Sequence, residues 1–223
     1  MSKYLAILEV SRKQEYIFSS KKLKSNALRS AEIAYVTSSE FFSDAAPDLY
    51  QPEEHLVYCG GGHSVLQFSD REAAVACVEA ITEAAMRKFP GMEFFAKVME
   101  YDNSKSPGEN LMELSRKLEK KKALRASSFF ALPTGLEAQD PENFRPVRLM
   151  EETDSVVESR MLVPPEGCAF PSEFEELTGE DNFLAVVHLD GNAMGTRVQA
   201  IYEQAGDDWT ACCQKLRTFS EGI

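Results

Sequence analysis

The sequence predicts an α+β fold: a ferredoxin-like βαββαβ unit over residues 1–103, followed by the start of a second, incomplete unit of the same kind. Three observations carry this prediction. Apolar runs and helical spacings alternate as strand, helix, strand, strand, helix, strand up to about residue 100. Three glycines, Gly60-Gly61-Gly62, lie between two short apolar segments, which is the chemistry of a tight hairpin. A later stretch, FLAVVHLDGNAMGTRV at 183–198, again runs from an apolar strand into a glycine-bearing helix start.

Taken in order, residues 4–10 (YLAILEV) read as a buried strand. Residues 13–44 read as helix, broken near 23–26, with Leu28, Ala31, Ala34, Tyr35 and Phe41 at helical spacing. Pro47 and Pro52 mark a loop. Residues 56–59 and 64–68 are the two hairpin strands. Asp70 is a suitable N-cap for a helix to about Lys88, with Ala74, Val75, Val78, Ile81, Ala85 and Met86 placed on one face. Pro90-Gly91 ends it, and residues 92–99 supply a fourth strand. The expected product is an antiparallel sheet with two helices on one face. Pro107 and Gly108 then open a basic helix to about residue 126. Residues 133–182, rich in proline and acids, read as an irregular connector with one short strand pair. Residues 183–189 form a new strand, and 207–223 a helix with Trp209, Cys212, Cys213, Leu216 and Phe219 on its core face. One strand and one helix cannot bury both faces of anything. This second unit is expected to dock on the first or on another copy.

A chain of 223 residues with 43% hydrophobic and 27% charged content is ordinary for a globular protein. A net charge of −12 argues against a nucleic-acid coat protein, which would be basic. The charge is uneven. Residues 137–182 carry thirteen acids against Arg145, Arg148 and Arg160, whereas 105–125 carry seven bases against three acids. That basic stripe reads first as a solvated helix face and second as a surface for phosphates. Five cysteines, an odd number with no Cys-x-x-Cys pair and no signal peptide, fit reduced thiols and a cytoplasmic location. No apolar run is long enough to span a bilayer, so no membrane partner is expected.

Asp190 follows five apolar residues in six. A carboxylate at the end of a buried strand is held rigidly at a concave edge, where metal and phosphate chemistry is commonly built. The plainer alternative is a strand-end aspartate capping a turn. Gly191 and Gly195 let backbone amides approach phosphates. The hairpin Gly60-Gly61-Gly62-His63 carries no Asp or Glu. Its glycines would let a base or ribose rest on the backbone; the alternative is a flexible turn. His63 has no second metal ligand nearby in sequence, and His55 and His188 read as structural.

Several segments carry a further signal: SRKQEYIFSSKKLK at 11–24, LRSAEIAYVTSSEFF at 28–42, YCGGGHSVLQF at 58–68, DGNAMG at 190–195 and KLRTFSEGI at 215–223. In this order they resemble the polymerase-like large subunit of type III CRISPR effector complexes, a relative of GGDEF diguanylate cyclases built from two palm domains in tandem. The resemblance implies a first palm at 1–103, a basic helix and acidic proline-rich connector at 104–182, and the beginning of a second palm at 183–223. It implies a fragment of an antiviral nucleotidyl cyclase or polymerase-like protein that binds ATP and, in full-length form, joins or cyclises nucleotides with magnesium or manganese. Gly60, Gly61, Gly62, His63, Gly191, Asn192 and Gly195 would bind nucleotide, and Asp190 with the Leu189 carbonyl would hold the metal. Implied partners are ATP, subunits of an RNA-guided effector complex, RNA, and a second copy through palm pairing. This sequence departs from the family at several points. Asn192 replaces a second Asp, the inter-palm zinc cysteines and the preceding nuclease domain are missing, and no Gly-Gly-Asp-Asp hairpin follows the last helix. The sequence is therefore expected to be inactive by itself. The alternative is a non-catalytic nucleotide-sensing or scaffold palm module of a defence complex.

Overall fold

The computed structural model describes residues 3–20, 23–124, 163–169, 171, 175–178 and 194–221. Strand β1 (Tyr4–Ser11) leads into helix α1 (Lys13–Ile17), α2 (Leu23–Val36) and α3 (Ser39–Ala45). A one-turn helix, α4 (Pro52–His55), precedes the hairpin strands β2 (Leu56–Gly60) and β3 (His63–Phe68). Helix α5 (Arg71–Lys88), strand β4 (Glu93–Glu100) and helix α6 (Pro107–Leu124) follow. After the one-turn α7 (Glu175–Thr178) come α8 (Met194–Ala205) and α9 (Trp209–Glu221). The four strands form one sheet in the order β2-β3-β1-β4, and every neighbouring pair is antiparallel.

Strand β1 is central, and its side chains alternate between two cores. Ala6, Leu8 and Val10 point to one face, where Leu66, Phe68, Phe94 and Ala96 join them beneath α2, α3 and α5. Leu5 and Ile7 point to the other, with Val57, Val65, Phe95 and Met99. Leu111, Leu114 and Leu118 of α6, Ala205 of α8, and Cys212 and Leu216 of α9 cover this second face. The apolar run of residues 5–8 is the pattern of a strand buried on both sides. The expectation of helices on one face is thus incomplete: α6, α8 and α9 close the other.

Local chemistry places the boundaries. The Asp70 carboxylate accepts from Ala73 N at 2.9 Å and starts α5 as expected. Met86 is not on the core face of that helix; it is 47% exposed, and Cys77 is buried instead. The first long helix breaks after Ile17 rather than at 23–26, where the Ser19 hydroxyl donates to the Tyr16 carbonyl at 2.8 Å. It breaks again at Ser38, whose hydroxyl accepts from Phe41 N at 3.1 Å and caps α3. Pro52 opens α4 at its first turn, where a missing N–H costs nothing, so the expected loop is part helical. The strand expected at 183–189 and most of the connector lie outside the described residues.

Candidate functional site

The hairpin between β2 and β3 stands at the end of β1, and backbone conformation fixes its shape. Gly61 and Gly62 have φ of 61° and 78°, the left-handed region that glycine adopts without strain. Val10 N donates to Gly62 O at 3.1 Å, which ties the turn to the last residues of β1. At the same end the chain reverses into α1 through Arg12, itself left-handed at φ 49°. This reversal brings Lys13 back to the hairpin, where its ammonium donates to the Gly61 carbonyl at 2.5 Å. A Cβ on Gly62 would lie 2.8 Å from Lys13 Cε and 2.9 Å from Ile33 Cγ2. Gly61, by contrast, is exposed at the tip, with only the His63 ring near its missing side chain.

His63 and Glu9 are partners across β1 and β3, and Glu9 occupies the position after Leu5 and Ile7 on the second face. Lys122, at the far end of α6, reaches Glu9 Oε1 at 3.1 Å and Glu119 Oε1 at 2.6 Å. His63 packs its ring edge-on against Tyr58, with centroids 5.4 Å apart. Burial, followed by the Lys13 charge, holds the His63 imidazole below its ordinary value against the pull of Glu9. Burial likewise lowers the Lys13 ammonium and raises the Tyr58 hydroxyl. The last turn of α9 forms a further wall. Ser220 Cβ lies 3.6 Å from where a Gly60 Cβ would stand, and Arg217 donates to the Leu56 carbonyl.

The structure therefore joins Gly60, Gly61, Gly62 and His63 into one feature and adds Glu9, Lys13 and Lys122, which the sequence did not single out. Glu9 carried a legible signal: a carboxylate where period-two alternation calls for an apolar residue. Gly195 lies in the first turn of α8, exposed, with open space where its Cβ would be. Leu189, Asp190, Gly191 and Asn192 lie outside the described residues. Most of the basic stripe is engaged on the helix surface: Lys105 and Lys117 pair with Glu113 at 2.6 and 2.8 Å, and Lys121 donates to the Ala96 carbonyl at 2.9 Å. His55 is structural, as expected; its Nδ1 accepts from Gln51 N and its ring stacks on Phe68 at 4.6 Å. Among the described residues, no group of three or more His, Cys, Asp or Glu is placed to hold a metal. No described helix is long and apolar enough to cross a membrane.

No family model matches the chain, and no curated protein matches it. Among solved structures the chain is similar to a Csm1–Csm4 cassette in complex with cA3, at 19% identity and a TM-score of 0.45, over 55% of this chain and 19% of that one. An apo Csm1–Csm4 cassette matches at 20% identity and a TM-score of 0.40, over 60% of this chain and 20% of that one. A Csm1–Csm4 cassette in complex with one ATP matches at 18% identity and a TM-score of 0.41, over 56% and 19% of the respective chains. The chain spans about one fifth of the length of those chains.

Proposed function

We propose that this chain is the nucleotide-binding part of a type III CRISPR-like, palm-based nucleotidyl cyclase or polymerase, and that ATP binds at the hairpin of its ferredoxin-like first palm. The observation that carries the reading is the hairpin itself. Two left-handed glycines shape a turn whose tip, Gly61, presents bare backbone to solvent, and a lysine rather than an acid steadies it. The quoted motif order and the β2-β3-β1-β4 sheet, with its strand–helix–strand–strand–helix–strand order, support the palm assignment. In this reading the described residues bind and orient the nucleotide. Magnesium, when bound, would neutralise the triphosphate and activate a hydroxyl, and Asp190 with the Leu189 carbonyl are its proposed ligands. Subunits of an RNA-guided complex are the proposed partners.

A scaffold palm without nucleotide is the second reading, favoured by the acid-free hairpin and by α9 seated against Gly60. Titration calorimetry of the chain with ATP and with CTP separates the two. Saturable ATP binding that weakens in Gly61→Ala supports the first. A flat ATP titration at millimolar concentration leaves the scaffold.

A further inference from the structure

Four side chains from four elements lie at the hairpin end of the sheet: Glu9 from β1, Lys13 from α1, His63 from β3 and Lys122 from α6. Their charges act on one another: His63 feels Lys13, Glu9 and Lys122, and Lys13 feels Glu9 and Lys122. The Lys122 and Glu9 side chains are only 13% and 22% exposed, so the group is sheltered yet open to solvent. In a chain of net charge −12, two ammonium groups and an imidazole are placed around the sheltered Glu9: Lys122 is paired with it at 3.1 Å, His63 stands opposite it on β3, and Lys13 lies on the adjoining Gly61 carbonyl. Glu119, the second partner of Lys122, is 63% exposed and well screened. Like charges placed around one sheltered site are eased when an anion joins them, and a sheltered ion pair is weak evidence of a purely stabilising role.

We infer that Lys13, Lys122 and His63 form a subsite for a di- or triphosphate, with Glu9 as a built-in counter-ion that the phosphate displaces from Lys122. A neutral imidazole still carries one N–H donor for a phosphate oxygen, and the two ammonium groups supply charge-assisted donors. The assignment deepens the nucleotide reading and rests on it only for the view that the phosphates belong to ATP. It explains why Glu9 interrupts the apolar face of β1. Emptying the site of phosphate leaves Glu9 to neutralise Lys122; filling it replaces Glu9 with a stronger anion.

Pyrophosphate, titrated calorimetrically into the full chain without magnesium at low salt, tests this directly. Saturable binding is expected. Glu9→Gln removes the competitor and should tighten it roughly threefold or more, whereas Lys122→Met should weaken it by a similar factor or more. Lys122→Arg should retain binding, and thermal melts confirm that each variant folds. Absence of pyrophosphate binding, or an affinity unmoved by both Glu9→Gln and Lys122→Met, overturns the subsite. ATP and adenosine separate this result from the nucleotide reading. If ATP and adenosine bind equally and pyrophosphate does not, the subsite falls and nucleotide binding stands. If pyrophosphate binds with the expected variant pattern and ATP binds no better, the subsite stands and nucleotide recognition falls.

Discussion

Gly61 and Gly62 share a left-handed backbone but not their surroundings, so substitution separates conformation from packing. At Gly62 an added methyl would meet Lys13 and Ile33 within 3.0 Å as well as an unfavourable φ of 78°. Gly62→Ala is expected to cost about 1–3 kcal/mol and to loosen Lys13 from the Gly61 carbonyl. Gly61→Ala meets nothing closer than His63 Nδ1 at 3.8 Å, so only the conformational cost of about 1–2 kcal/mol remains. Urea denaturation should rank Gly62→Ala as the more damaging change; the reverse order would refute the packing described here. His63 gives a second test at this scale. Burial and then the Lys13 charge keep its native imidazole below the ordinary value, so the unfolded chain takes up the proton first. Its contribution to stability is complete above about pH 6.5 and is lost as pH falls through the depressed native value. His63→Gln should flatten that part of the stability–pH curve measured between pH 8 and 4.5. An unchanged slope would contradict the assignment. His55, also lowered by burial, retains its own share in both proteins.

At the scale of elements, α9 is where packing can be tested most directly. Asp208 caps it, accepting from Ala211 N at 3.0 Å, and Cys212 and Leu216 are buried against the sheet. Leu216→Ala should cost about 2–5 kcal/mol, read as a lower midpoint in a thermal or urea melt. A loss under 0.5 kcal/mol would mean that α9 does not hold the second face closed. Elements defined by turn chemistry were legible in the sequence: the glycine hairpin, the Asp70 cap and the apolar run of β1. Those defined by competition were not. Met86 lies about 100° around the helix from Ala85 and falls outside the buried stripe of Ala74, Cys77, Val78, Ile81 and Ala85. Cys77, three residues from Ala74 and four from Ile81, takes the inner place. The break after Ile17 contains neither glycine nor proline; it follows from a serine hydroxyl competing for a backbone carbonyl, a signal common to many intact helices. The candidate site was half legible for a related reason. Its glycines announce themselves locally, whereas Glu9, Lys13 and Lys122 come together only once β1, α1 and α6 are packed.

For the molecule as a whole, the sheet closed on both faces is the organising feature, and two cysteines report on it independently. Cys77 is buried under α5 on one face and Cys212 under α9 on the other. Burial pushes both thiols up to about 11, and Cys168 is exposed. A thiol reagent at pH 8 should modify Cys168 first and reach Cys77 and Cys212 only with unfolding. Fast labelling of Cys212 alone would show the α9 face to be open in solution. The central claim is that the hairpin end of this sheet receives ATP. Titrating ATP into the ¹⁵N-labelled chain, with amide shifts followed residue by residue, tests it most directly. Saturable shifts centred on Gly60–Gly62, His63 and Lys13 are the expected result. Unmoved hairpin amides at millimolar ATP, or shifts confined to other parts of the chain, would contradict it.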